Sequence, residues 1–247
     1  MSQAAGSAYG QARARIVAAA PDGDADLKRV PPAARLEIVF RALSEEMSPL
    51  VVGAVLWPAM SVVAELRYGR VVAAQLADLA LRGHLWMSYG GTHVGPPGLM
   101  ASRRPDAPDD TAPEEKLLLD VVFGAAPSVR LAGRMDGRAW DGLSAEIHRR
   151  AAELGLGGRR LDRYRLLRLL QRLRRWMREY STTAAEADEQ AWLHRAGYPY
   201  AVLFAIETGL GSWPALPEEE VFLPSLLPEA CNLAINAGDT DPGRWLP

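Results

Sequence analysis

Hydrophobic positions recur every three or four residues through much of this chain, and the clearest run feeds a short apolar stretch. In residues 61–87, SVVAELRYGRVVAAQLADLALRGHLWM, Val63, Leu66 and Tyr68 share a helical face that ends near Gly69. Val72, Leu76, Leu79 and Ala80 share the face of a second helix, predicted over 70–82. Arg82 in its last turn and Gly83 beyond it form a C-terminal stop, because glycine enters the left-handed region without a Cβ clash. His84–Met87 is short, apolar and aromatic, which reads as a strand. Helix, turn, helix, glycine, strand is the order of a winged helix.

Upstream, residues 1–31 are rich in Ala, Gly and Asp, with little periodicity outside Ile16–Ala20, and read as a flexible arm. After Pro31-Pro32, Leu36, Ile38, Val39, Phe40 and Leu43 take helical spacing. Ser44 or Ser48 caps the next helix, with Pro49 at its first position. Leu50–Trp57 is almost wholly apolar and predicts a buried helix, which Pro58 ends or kinks.

Downstream, SYGGTHVGPPGLMASRRPDAPDDTAP is dense in Gly and Pro, as a wing tip and connector would be. Asp110 or Thr111 is placed to cap a helix over 114–123, which Gly124 stops. Ser128–Leu131 is a short strand candidate, and Ala139–Leu154 an amphipathic helix with Leu143, Ile147 and Ala151 inward. Residues 159–180, RRLDRYRLLRLLQRLRRWMREY, predict one long helix with a stripe of Leu166, Leu170, Leu173, Met177 and Tyr180. A helix over Thr182–Arg195 and a buried helix over Tyr198–Thr208 follow, then a proline-rich tail anchored by Trp213, Phe222, Leu226 and Trp245. The expected fold is mainly α. It has a flexible N-terminal arm (1–31), a winged-helix-like unit (32–100), a second such unit (101–158), and a C-terminal part (159–247). That last part holds the arginine-rich helix, a helical pair and the irregular tail.

Composition narrows the classes. With 247 residues and 49% hydrophobic content, the chain can bury a core as one large or two small domains. Net charge is −2, yet residues 159–180 carry nine Arg against Asp162 and Glu179, a local +7 that leaves −9 for the rest. Cys231 is the sole cysteine, so no intramolecular disulfide forms and a reducing cytoplasm is the expected compartment. The N-terminus lacks the apolar core of a signal peptide, and the run Leu50–Val63 is too short and proline-broken to span a bilayer.

Three blocks, AELRYGRVVAAQLADLALRGHLWM, PEEKLLLDVVFG…SVRLAG and EYSTTAAEADEQ…YPYAVLFAIETGLGSW, stand in an order and spacing that carry a resemblance. Across roughly 50–215 the chain resembles the cytoplasmic part of a bacterial predicted-membrane-protein family of unknown function, domain-of-unknown-function family 2207. The resemblance implies a winged-helix unit followed by a second small helical unit, and brings no catalytic residues. That family's extracellular β domain and first membrane helix have no counterpart here. Its membrane hairpin would fall on GLGGRRLDRYRLLRLLQRLRRWM, which is too rich in arginine to enter lipid. The resemblance therefore implies a soluble offshoot.

Candidate chemistry is sparse. As a DNA-reading helix, 70–82 offers only Gln75, Asp78 and Arg82 as polar groups; Asp78 would face phosphate, and the wing His84–Thr92 has no Lys or Arg. Nucleic acid is therefore not the expected partner. Arg163, Arg165, Arg168, Arg172, Arg174, Arg175 and Arg178 form a candidate binding face for an acidic protein, anionic lipid headgroups or, least favoured, nucleic-acid phosphates, or else pair with acids of this chain such as Glu218–Glu220. No HExxH, HxH or CxxC spacing occurs, so neither a metal nor another cofactor is expected; Glu186, Gln190 and His194 share a face but include a poor ligand. No GxSxG, phosphate-binding GxxxxGK[ST] or strand-borne GxGxxG is present, and Pro96-Pro97 removes donors from the one glycine-rich turn. Catalytic candidates reduce to Glu207, His194 and Cys231, with Tyr198, Tyr200 and Trp213 lining a pocket near Glu207.

The leading expectation is a non-catalytic cytoplasmic interaction or scaffold protein. Its arginine-rich helix docks on an acidic protein or on the inner face of a membrane. A small cofactor-free enzyme with an aromatic and carboxylate pocket in the C-terminal helices is the alternative, and a winged-helix DNA-binding regulator the third reading.

Overall fold

The computed structural model describes residues 48–53, 68–90, 98–131, 137–153 and 197–204, together with 171, 172, 174, 175, 177 and 231. These are mostly helical, with one three-stranded antiparallel sheet. The arm at 1–31, the helix at 182–195 and the proline-rich tail apart from Cys231 lie outside the described residues.

Helix α1 (Tyr68–Leu81) is the centre of the core. Val72, Ala73, Ala74, Leu76, Ala77 and Leu79 are each 0% exposed, so α1 is enclosed around its whole girth rather than along one stripe. α1 contains the helix predicted over 70–82, with Gly69 buried near its described start; residues 61–67, where the preceding helix is expected, lie outside the described residues. One helical glycine costs only about 1 kcal/mol relative to alanine, which tertiary packing overrides. At the other end the predicted stop is realised in detail. Gly83 has φ +82°, Gly83 N–H donates to Ala80 O at 3.0 Å, and His84 N–H donates to Leu79 O at 2.8 Å. That pair of bonds is a Schellman closure, which satisfies carbonyls the helix end would otherwise orphan.

The closure feeds β1 (Leu85–Gly90), which pairs with β2 (Gly98–Arg103), which pairs in turn with β3 (Ser128–Arg130). β2 arises inside the stretch expected to be wing tip and connector. GLMASR has no β-branched residue, but Leu99 and Ala101 alternate onto the same buried face as Leu85 and Met87. Two hydrogen bonds frame β3 against β2, Arg103 N–H to Pro127 O at 2.8 Å and Leu131 N–H to Leu99 O at 3.0 Å. The third strand thus comes from the region assigned to a second unit, and the expected boundary at 100/101 runs through β2.

Between β2 and β3 lies α2 (Pro113–Phe123), with Pro113 at N1 and Gly124 at its end with φ +53°. The cap is Ala112, not Asp110 or Thr111: the Ala112 N–H is taken by Glu115 Oε2 at 2.9 Å. α3 (Gly137–Glu153) packs on α2, and Leu143, Ile147 and Ala151, the predicted inward stripe, are buried. Residues 48–53 begin as expected, with Pro49 at N1 and Ser48 Oγ accepting the Val51 N–H at 3.4 Å. Leu50, Val51 and Val52 are fully buried against the core. The helical segment 197–204 is buried throughout, and Arg70 Nη1 donates to its Val202 O at 3.0 Å.

Candidate functional site

On a helix as enclosed as α1, a polar side chain must find a partner or its desolvation goes uncompensated. Gln75, Asp78 and Arg82 lie at i, i+3 and i+7, one stripe of α1, and face the N-terminus of α2. Gln75, 0% exposed, accepts the Leu50 N–H at 3.2 Å through Oε1. Its Nε2 donates to Glu115 Oε1 at 2.8 Å and to Asp78 Oδ2 at 3.3 Å. Arg82 uses Nε for Asp78 Oδ2 at 3.0 Å and Nη2 for Glu115 Oε1 at 2.7 Å, while Nη1 stands 3.8 Å from Asp110 Oδ1.

The same Asp110 oxygen lies 2.7 Å from Nε2 of His84, a side chain only 2% exposed. Glu114, 2% exposed beside Glu115 in the first turn of α2, receives the Ser48 hydroxyl on Oε1 at 3.1 Å. Four pieces of chain therefore converge on one polar node: the 48–53 turn, α1, the start of β1 and the α2 N-terminus.

The electrostatics follow from this crowding. Burial pushes the Asp78 carboxyl up to about 6, against the opposing pull of Arg82, and the Glu115 charge pushes the same way as burial. Burial alone would lower Arg82, but the Glu115 hydrogen bond and the Asp78 and Glu115 charges outweigh it and hold the guanidinium above its ordinary value. Tyr200, from the 197–204 segment, is raised by burial first and by the Asp78 charge second. Chemically the node is a clasp. Glu115 accepts from Gln75 and Arg82 on one oxygen and from the Ala112 backbone on the other.

The chain matches no family model, no curated protein and no solved structure. Its chemistry rests on its own geometry.

Of the residues singled out in the sequence, Arg163, Arg165, Arg168, Arg178, His194, Glu207 and Trp213 lie outside the described residues. Arg172 and Arg175 are exposed, Arg174 is half-buried and Met177 is 3% exposed. Tyr198 and Tyr200 are buried at 4% and 3%. Cys231 is fully buried and its thiol is pushed up by that burial, which disfavours the thiolate a nucleophile needs. Among the described residues no cluster of three or more His, Cys, Asp or Glu could hold a metal ion, and no helix is long and apolar enough to cross a membrane.

Gln75, Asp78 and Arg82, weighed in the sequence as base-reading groups, turn inward to the node instead. His84, Asp110, Glu114 and Glu115 were not singled out as a cluster. The legible signals were the i, i+4 spacing of Asp78 and Arg82 and a glutamate at the third position of α2; nothing local announces that the two meet.

Proposed function

We propose that the chain is a non-catalytic interaction or scaffold protein that docks on an acidic protein or anionic membrane surface through its arginine-rich segment 159–180. In this reading α1, β1 and β2 form a winged helix turned to packing rather than to DNA. The chain is then a cytoplasmic relative of the membrane-protein family it resembles, working at the inner face of the membrane. The observation that carries the proposal is the disposition of residues 171–177. Gln171, Arg172 and Arg175 are exposed and Arg174 is half-buried while Met177 is buried, as in a helix that keeps Met177 inward and offers two of these three cations outward. Support comes also from α1, whose enclosure leaves no face to enter a groove, and from the node, whose acids are engaged with one another's partners.

Sedimentation with anionic and neutral vesicles, and retention on a polyglutamate matrix, test this at low and moderate salt. The expected result is retention on the anionic surface only, falling steeply with salt and abolished by Arg168→Glu, Arg172→Glu and Arg175→Glu together. Equal retention of the triple variant, or none by the wild type on either anionic surface, overturns it.

A further inference from the structure

Two carboxylates in the node draw on the same two donors. Gln75 Nε2 donates to Asp78 Oδ2 at 3.3 Å and to Glu115 Oε1 at 2.8 Å, and the Arg82 guanidinium donates to the same two oxygens. One cation thus serves both acids. The wider balance runs the same way, with Asp78, Asp110, Glu114 and Glu115 set against one guanidinium, Arg82, and one imidazole, His84. Glu114 Oε2 is buried with no hydrogen-bond partner among the described residues. Arg149 of α3 feels the Glu114 charge, but its guanidinium is bound by Glu146 and Glu153. From the 197–204 segment the titratable group that senses Asp78 is the Tyr200 phenol, which brings no cation. The node also runs from a dry end to a wet one. The Glu115 side chain is 4% exposed, Asp78 26% and Asp110 58%, and residues 105–110, which lead into α2, are all exposed.

We propose that the Asp78–Glu115 pair holds one proton and makes the α1–α2 junction a pH-operated latch, closed while the proton is bound and opening at the α2 N-terminus when it leaves. This regulation is independent of the docking reading above. Gln75 and Arg82 both donate to Asp78 Oδ2, so the proton sits on Oδ1, and the exposed part of Asp78 gives it a route to water. Once it leaves, two anions joined by shared donors face a single guanidinium, and like charges in a half-dry site repel. α1 is enclosed and cannot yield, whereas the lead into α2 is at the surface, so the first turn of α2 is the side that frays. Fraying releases Glu115 from Gln75 and the Ala112 N–H from Glu115, and water then hydrates both acids. The Asp78 carboxyl, raised to about 6 by burial and by the Glu115 charge against the pull of Arg82, puts the release close to neutrality.

Hydrogen exchange of the intact protein, read by mass spectrometry at pH 5 and pH 7.5 and divided by the intrinsic rate at each pH, tests the latch. The amides of residues 112–116 are expected to lose about tenfold in protection between the two, the ratio for a carboxyl near 6 when closed that returns to an ordinary 3.8 on opening. They should also stay less protected than the interior of α1, because the latch opens without global unfolding. Asp78→Asn abolishes the pH dependence. Difference infrared spectroscopy of the wild type supplies a readout that needs no variant: the carbonyl stretch of a protonated carboxyl, lost with a midpoint near pH 6. Absence of that band, protection at 112–116 that is flat with pH, or protection there equal to that of the α1 interior overturns the proposal. A pH response that persists in Asp78→Asn places the proton on another group of the node and overturns it as well.

Discussion

Arg82 Nη2 stands 2.7 Å from Glu115 Oε1, and this contact joins the end of α1 to the beginning of α2. Glu115 is 4% exposed at the side chain while Arg82 keeps 32%, so the acid is the buried member and the base its link to solvent. Removing one partner of a buried ion pair strands the other, at a cost of about 3 kcal/mol or more. Arg82→Ala is therefore expected to lower unfolding stability by about that amount, measured by urea denaturation. Arg82→Lys recovers only part, because an ammonium lacks the fork that serves Asp78 and Glu115 together. Replacing the pair at once, Arg82→Met with Glu115→Leu, is expected to cost less than the two single changes summed. Additive losses would mean that the two side chains are not coupled.

Asp78 sets a pH dependence of defined sign. Its carboxyl is near 6 in the folded chain against an ordinary 3.8, so between those values the native state holds a proton that the unfolded chain has released. Stability then falls as pH rises through this window. The cost is absent below about pH 4 and complete above about pH 6–7, with a size of about 2–3 kcal/mol. Asp78→Asn removes the titration. The variant's stability relative to wild type should improve between pH 4.5 and 7.5, read from paired urea midpoints. A relative decline over that range would show that ionised Asp78 is net favourable in its setting.

Gly83 separates backbone strain from packing. A Cβ built there would meet nothing nearer than Arg104 Nη1 at 4.0 Å, so space is available and only φ +82° resists substitution. Gly83→Ala is expected to cost about 1–2 kcal/mol. Gly83→Asn should cost clearly less, since asparagine tolerates the left-handed region. Equal costs for Ala and Asn in thermal unfolding would assign the glycine to packing after all.

How much of this was written in the sequence depends on the range of the interaction. The Schellman glycine, the Ser48-Pro49 helix start, the helix stopped at Gly124, the strand at 128 and the inward stripe Leu143–Ile147–Ala151 are all local patterns, and each has its structural counterpart. Misreadings came where tertiary pairing decides. β2 looked like connector because its strand character is conferred by pairing on both sides, with β1 and β3. The polar node was illegible for the same reason: Gln75 and Glu115 are forty residues apart and nothing in either neighbourhood names the other. The cation over Trp86 was hidden likewise, since Arg104 reaches it only because β1 and β2 pair.

Gly53 is required by close approach, not by conformation. A Cβ on it would stand 2.5 Å from Val71 Cγ1 and 2.8 Å from Cγ2, inside any tolerable contact. The 48–53 turn can thus lie directly on α1 and deliver the Leu50 N–H to Gln75. Gly53→Ala forces the two apart and is expected to cost about 1–3 kcal/mol. Val71→Ala in the same chain opens the space that the new methyl needs, so the double variant should be more stable than the sum of the singles predicts. Strict additivity in chemical denaturation would mean that the two residues do not touch.

Cys231 discriminates between the non-catalytic reading and the enzymatic alternative. It is fully buried, and burial moves its thiol above the ordinary range, so at neutral pH it carries almost no thiolate. Both conditions oppose nucleophilic catalysis, which needs an accessible thiolate beside a base. The native protein is expected to resist a thiol reagent such as DTNB at pH 8 and to react with one equivalent once urea unfolds it. As urea rises, the labelling rate should track the population of open chain rather than reagent access to a cleft. Prompt labelling of the native chain would instead require a thiolate held near the surface by a neighbouring cation. That outcome would return Cys231, with His194, to the front rank of catalytic candidates.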